Sequence, residues 1–282
     1  MNPSPIRKIS DTARWAAVYR ARETERSDAV FRDPFARQLA GDRGEDIANA
    51  VKFSTQNSWS WIARTYVFDA FILDQLRQGC DLVINLAAGL DARPYRMELP
   101  ANFKWIEVDL PEVIEYKQEV LSGATPTCLL ERVAVDLTDV AARRELFHRL
   151  GRRGGKALIV TEGFLIYFTD DEAAAFAQDL HVPANFQNWI MDLTSPGLLE
   201  LLKKRMGEQM GEGAVLRFAP ADAFNFFLQY GWKITEARSL IKAASRIDRL
   251  PWLLKFLAVL SPEFPKPKQA SKPWGGVVVL SR

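Results

Sequence analysis

From Leu82 to Leu193 short apolar runs alternate with helical ones. LVINLA leads to a helix from about Asp91, and FKWIEVDL leads to PEVIEYKQEVL, where Pro111 suits a first helical position. CLLERVAVDL precedes DVAARRELFHRL, KALIVTEG precedes DDEAAAFAQDL, and FQNWIMDL is a fifth strand. Strands separated by helices require crossover connections, which are right-handed and force a parallel sheet covered on both faces. The chain therefore reads as an α/β fold of Rossmann-like type.

The flanks read differently. SDTARWAAVYRARETER is helical, with Ser10 as N-cap and Ala13, Ala16, Ala17 and the stem of Arg20 on its apolar face. In DPFARQLAG, Asp33 caps, Pro34 opens and Gly41 closes a short helix. NSWSWIARTYVFDAFILDQLRQG is a long helix with Trp59, Ile62, Tyr66, Ala70, Leu73 and Leu76 at helical spacing, closed by Gly79. After the fifth strand come an amphipathic helix (SPGLLELLKKRMGEQMGEG), a helix (PADAFNFFLQYG), a strand (WKITEARSL), a helical then Pro-rich insert (PWLLKFLAVLSPEFPKPKQASKP) and a last buried strand (GGVVVLSR). The expected division is one domain, 1–282. It comprises an N-terminal helical lid at 1–56, a core at 57–192, and lid or substrate inserts at 193–219 and 240–273.

Composition is ordinary for a globular chain of 282 residues, 48% hydrophobic and 26% charged. A net charge of +2 gives no reason to expect a nucleic-acid partner. Two distant cysteines, Cys80 and Cys128, suggest neither a metal site nor a disulfide framework. His148 and His181 fall in helices and read as surface or packing residues, and no G-x-S-x-G elbow is present. No apolar run has the length of a membrane span, and the N-terminus lacks a signal-peptide pattern, so a cytoplasmic protein without a membrane partner is expected. Cations gather between Lys242 and Lys272: Lys242, Arg246, Arg249, Lys255, Lys266, Lys268 and Lys272, against Asp248 and Glu263. This stretch reads as a solvated lid face, with docking of an acidic partner as the alternative.

In an open α/β sheet the ligand lies beyond the carboxyl ends of the strands. There the sequence places Ala87-Ala88-Gly89, then Glu107 and Asp109, then Asp136-Leu137, then Glu162-Gly163. Asp109 lies at the offset from Gly89 at which a carboxylate accepts both hydroxyls of a ribose. Nicotinamide dinucleotides and S-adenosylmethionine (SAM) share that ribose. A dinucleotide needs G-x-G-x-x-G, whereas A-A-G-L-D-A has one glycine and aims Asp91 where a phosphate would lie. SAM carries a cationic sulfonium and amino group, so an acidic pocket favours it.

VINLAAGLDARPYR, WIEVDLPEVIEYK and VTEGFLIYF resemble the SAM-dependent methyltransferases related to leucine carboxyl methyltransferase and the tetracenomycin polyketide O-methyltransferase. YRARETERSDAVFRDPFA resembles the lead-in of their bacterial members. The likeness spans Trp15 to Phe168 and fades after Asp192. It implies a class I methyltransferase fold with a seven-stranded sheet, mostly parallel, whose last strand is antiparallel. It also implies that Asp109 holds the ribose, that Asp136 and the backbone of Leu137 meet the adenine, and that Glu162 and Gly89 line the methionine end and the turn. Arg64 then pairs with the SAM carboxylate. The departure is Ala87, where the family usually has glycine. Its methyl group is expected to crowd the cofactor, so that a glycine here would bind more tightly while lowering stability through the unfolded chain.

The resemblance implies O-methylation. The motifs contain no histidine, which suits a carboxylate or an already acidic hydroxyl. Tyr19, Arg20 and Tyr167 are the candidate acceptor-pocket residues, although Arg20 reads equally as a structural partner of Glu23 or Asp33. Trp15, Trp252, Lys255 and Phe256 would add aromatic and cationic lining. The expected acceptor is a small molecule with an apolar body and an acidic oxygen. The alternatives are a protein carboxyl terminus, or a methyltransferase fold that only binds. No metal is expected, no catalytic residue is identified, and the oligomeric state is left open.

Overall fold

The computed structural model describes residues 6, 9–211 and 214–282. Parts of the expected lid at 1–56 and of the expected insert at 193–219 lie outside these residues. The strands are β1 (Leu82–Leu86), β2 (Lys104–Asp109), β3 (Leu129–Ala134), β4 (Ala157–Thr161), β5 (Phe186–Thr194), β6 (Lys233–Ser239) and β7 (Gly275–Ser281). They form one sheet in the order β3-β2-β1-β4-β5-β7-β6. β1 to β5 pair in parallel, and β7 runs antiparallel between β5 and β6. The strand order reverses between β1 and β4, where a doubly wound sheet opens a crevice.

Twelve α-helices occur among the described residues: α1 (Ile9–Thr24), α2 (Ala36–Ala50), α3 (Lys52–Gln56), α4 (Ser58–Arg77), α5 (Arg93–Arg96), α6 (Pro111–Val120), α7 (Val140–Gly151), α8 (Asp170–His181), α9 (Pro196–Met206), α10 (Ala223–Leu228), α11 (Leu240–Arg246) and α12 (Trp252–Leu260). Side chains alternate across each strand, so the sheet supplies two cores. Ile84 faces Leu146, Phe147 and Phe176 of α7 and α8. Val83 faces Phe68, Phe71 and Ile72 of α4 and Ala243 and Ala244 of α11. β1 and β4 are buried at every residue, as the unbroken apolar runs require. A third cluster joins Trp15, Val18 and Tyr19 of α1 to Leu39 and Ile47 of α2 and to Leu90 and Val113. It sits on the loops that leave β1 and β2.

Local details differ from the sequence reading in ways that packing explains. Ser10 lies inside α1, not before it. Gly41 has φ +58° and kinks α2, but helical turns resume to Ala50. On α4 the buried stripe is Ile62, Thr65, Phe68, Phe71 and Ile72, whereas Tyr66 is exposed. Two phenylalanines outcompeted the expected stripe for the sheet. The helix expected from Asp91 is the single turn α5, and α11 was not foreseen.

Glu107 is not a pocket acid. It is fully buried, taking Lys117 Nζ at 2.7 Å and Arg132 Nε at 2.9 Å, and Lys117 is itself fully buried. Removing one member of such a group strands a charge away from water. Glu107→Gln should cost about 3–5 kcal/mol of stability. Urea unfolding checks this, and a loss below about 1 kcal/mol would mean that water reaches the group.

Candidate functional site

A cavity of about 770 Å³ opens beyond the carboxyl ends of β1, β2 and β4. Ala87, Gly89, Asp109, Asp136, Leu137, Glu162 and Arg64, the residues expected around a cofactor, all line it, as do Arg20 and Tyr167.

The turn after β1 is shaped by backbone geometry. Ala87 has φ +53° and Gly89 φ +50°, both left-handed. Asp109 braces this turn, because its carboxylate accepts the Gly89 N–H at 2.6 Å and the Leu110 N–H at 2.7 Å. Each oxygen thus uses one acceptor direction and keeps another for a hydroxyl. Burial outweighs these hydrogen bonds and raises the Asp109 pKa above the ordinary aspartate value. A Cβ on Gly89 would lie 3.1 Å from the Ala13 methyl of α1. The turn therefore tolerates only a bare backbone where the N-terminal helix closes over it.

Asp136 is exposed beside buried Leu137, and it accepts the Thr138 N–H at 2.9 Å. At the end of β4, Glu162 is held from two sides, by Arg64 Nε at 3.1 Å and Arg93 Nη2 at 2.9 Å. Arg64 also reaches Asp192 at 3.4 Å and lies 4.7 Å from the centre of the Trp61 ring. Asp192 accepts the Gly163 N–H at 2.7 Å. Burial raises its pKa, against the pull of Arg64.

Arg93 ties the cluster together. It donates to Asp69 at 2.6 Å, Asp91 at 2.8 Å and Glu162 at 2.9 Å while almost wholly buried. Asp91 also takes the Arg93 N–H at 2.9 Å and the Asn85 amide at 2.8 Å. Burial acts to raise the Asp91 pKa, but Arg93, Lys117, Arg96 and Arg20 together hold it well below the usual carboxylate range. Much of the acidity legible in the sequence is thus neutralised by arginines. Asp69, Arg93 and Asp192 were not foreseen. Asp192 obeys the same rule as its neighbours, an acid near the end of a central strand, and Arg93 stands in the quoted ARPYR.

Three expectations for the acceptor pocket are corrected. Tyr19 does not line the cavity. It is buried, stacks on Trp61 and accepts the Trp15 Nε1–H at 3.2 Å. Arg20 reaches the cavity, but its guanidinium is committed to Asp33 at 2.9 Å and the Leu90 carbonyl at 2.6 Å. Glu23 pairs instead with Arg249. Trp252, Lys255 and Phe256 point outward and are absent from the lining. Tyr167 does line the cavity, and its phenol hydrogen-bonds with Thr12.

The residues present fit an adenosyl donor. A braced carboxylate lies beside the tight turn of small residues after β1, and a guanidinium with two of its five N–H groups committed to Glu162 and Asp192 lies near the end of β4. No group of His, Cys, Asp and Glu among the described residues has the geometry to hold a metal ion.

The positive φ of Ala87 reverses one expectation. An L-residue in the left-handed region is strained by about 1–2 kcal/mol, more than glycine's extra unfolded-state freedom costs. Ala87→Gly should therefore raise stability by about 0.5–1 kcal/mol, measured by chemical denaturation. A destabilised variant would show that Ala87 carries no left-handed strain.

The family model for leucine carboxyl methyltransferase matches residues 13–181, more than half of the chain. A Frankia alni protein named as an S-adenosyl-L-methionine-dependent methyltransferase is 30% identical over 260 residues, covering 84% of this chain and 88% of that one. Two solved structures share the fold. A DUF574 family protein of Streptomyces avermitilis aligns with TM-score 0.60 and 11% identity over 94% of this chain and 96% of its own. A Thermobifida fusca protein named as a methyltransferase aligns with TM-score 0.56 and 16% identity over 99% and 96%. With its strand order, its braced turn and this match along most of its length, the chain belongs to the leucine carboxyl methyltransferase family and is a class I SAM-dependent methyltransferase.

Proposed function

We propose that this methyltransferase acts on the acidic oxygen of a small molecule with an apolar body. The observation that carries the reading is the two-ended cavity. One end holds Asp109, Glu162, Asp192 and Arg64. The same space continues between Leu198, Leu202 and Met206 of α9, Leu254 and Leu257 of α12, and Trp274. An apolar chamber beyond a polar end suits a compact ligand. A protein carboxyl terminus would need an open groove for the chain behind it.

Bound SAM supplies an electrophilic methyl group on a sulfonium, and the chain's own residues do the rest. Asp109 takes two ribose hydroxyls, with Asp136 and Leu137 flanking the base. The free N–H groups of Arg64 hold the amino-acid carboxylate. Ala13 and Ala16 of α1 and the leucines of α9 exclude water, which leaves alignment as the main source of rate. Burial raises the Tyr167 pKa, so the phenol keeps its proton and its O–H can serve as a donor as well as an acceptor. A donor at that position suits an acceptor that arrives ionised, and a carboxylate needs no base.

Asp109→Ala should weaken SAM binding by about 1.5–3 kcal/mol, roughly 10- to 150-fold, in calorimetry. Protonated Asp109 loses acceptor capacity, and its folded pKa is raised. Affinity should therefore fall on acidification at a higher pH than for a free aspartate, and Asp109→Asn should remove that step. Equal affinity in the alanine variant would refute the assignment.

The acceptor class is tested with methyl-labelled SAM and either a metabolite extract or the matching protein fraction. Label is expected in an organic-extractable product, whose lability to base separates ester from ether. Label confined to base-labile protein esters would reject the small-molecule reading.

A further inference from the structure

The outward face of α12 is unusual for a surface helix. Trp252 (78% exposed), Leu253 (67%), Phe256 (69%), Leu257 (50%), Val259 (78%) and Leu260 (66%) stand in solvent, while Ala258 is buried. Leu257 and Leu260 sit at the mouth of the cavity, and the other four cover an arc of roughly 120° at 3.6 residues per turn. The only charge on the helix is Lys255, which flanks the arc and pairs with Asp248 at 2.7 Å. Exposed apolar area concentrated in this way marks a contact surface.

The segment that carries the patch is rich in cations. Of the seven Lys and Arg between positions 242 and 272, Lys242 and Arg246 share Glu263, Lys255 takes Asp248, and Arg249 is held by Glu23 and Asp28. Lys266, Lys268 and Lys272, in the loop after α12, have no ion pair among the described residues. That loop and the helix border the same opening, because Leu257, Leu260, Pro265, Gln269 and Lys272 all line the cavity.

We propose that α12 and the following lysine loop form a docking surface for an anionic lipid bilayer, on which α12 lies in the headgroup boundary. An apolar arc opening on tryptophan, flanked by lysines, is the pattern of an interfacial helix. The unpaired lysines supply attraction to anionic headgroups. Apart from the Trp252 indole N–H the side chains of the patch carry no hydrogen-bonding group, which suits a surface that asks mainly for burial and charge. The contact is peripheral, since no helix among the described residues is long and apolar enough to cross a membrane. The expectation of no membrane partner rested on the length of apolar runs, which tests spanning and not docking. The proposal stands on the helix and loop alone, whatever the acceptor.

The full chain is sedimented with vesicles of phosphatidylcholine, or of an equal mixture with phosphatidylglycerol, at low and high salt. Binding is expected to the mixed vesicles, weaker to neutral ones and reduced by salt. Trp252→Ser with Phe256→Ser should lower vesicle affinity about tenfold or more. Lys266→Glu and Lys268→Glu together should remove the preference for anionic lipid. All four substituted positions are exposed and none lines the cavity, so the variants should keep parental thermal unfolding and SAM binding, which separates docking from cofactor chemistry. Failure of the parent to sediment with mixed vesicles, or sedimentation unchanged by the serine pair, would overturn the proposal. So would a concentration-dependent dimer in analytical ultracentrifugation that the serine pair abolishes, or capture of an acidic protein without vesicle binding.

Discussion

The buried guanidinium of Arg93 is the contact around which the site is organised. Three carboxylates from three parts of the chain converge on it: Asp69 from α4, Asp91 from the turn after β1, and Glu162 from the end of β4. A charge so far from water is tolerable only when it is well paired, and here each of the three guanidinium nitrogens meets a carboxylate. The consequence is positional. The long helix that covers the sheet, the turn after β1, and the acid at the switch point cannot shift independently. Arg96 extends the arrangement by adding two hydrogen bonds to Asp69.

Within that frame the turn after β1 is over-determined, and this explains how alanine survives at a position with φ +53°. Its neighbours hold it from both sides. Ala88 donates to the Val108 carbonyl at 3.1 Å, and Asp109 grips Gly89. Strain of a kilocalorie or two persists where the surroundings leave no alternative. The same carboxylate therefore has two tasks, bracing the empty turn and presenting acceptors to the cavity.

The sheet was legible because its code is local. Continuous apolar runs such as LVINL and ALIVT can be satisfied only inside a parallel sheet. The strand-end acids follow from the same topology, and Asp109, Asp136 and Glu162 reach the cavity together. What stayed illegible depends on partners distant in sequence. Glu107 resembles Asp109 as a strand-end acid, yet it points into a buried ion group because it lies two residues earlier, before the strand's end. Tyr19 and Arg20 sit side by side on α1, and only the positions of Trp61 and Asp33 show that one is packed and the other tied. For α12 the composition was read correctly as apolar, aromatic and cationic. Which side faces the cavity is set by packing, and no periodicity could decide it in a helix that is apolar nearly all round.

That two-sidedness links the lid to its surroundings. Leu254, Leu257 and Leu260 line the cavity while Trp252, Phe256 and Val259 face out, so one short helix separates the apolar chamber from the medium. Its approach is anchored by Arg249, which is bound to Glu23 of α1 at 2.8 Å and to Asp28 at 3.2 Å. Glu23 is fully buried, so that pair is not a loose surface contact. α1 in turn brings Ala13 against the Gly89 turn and Thr12 against Tyr167. The N-terminal and late helical segments are therefore joined by a buried ion pair, and both line one cavity. Breaking that pair would strand a buried glutamate away from water, so the Arg249 contact fixes where the late helices sit relative to α1.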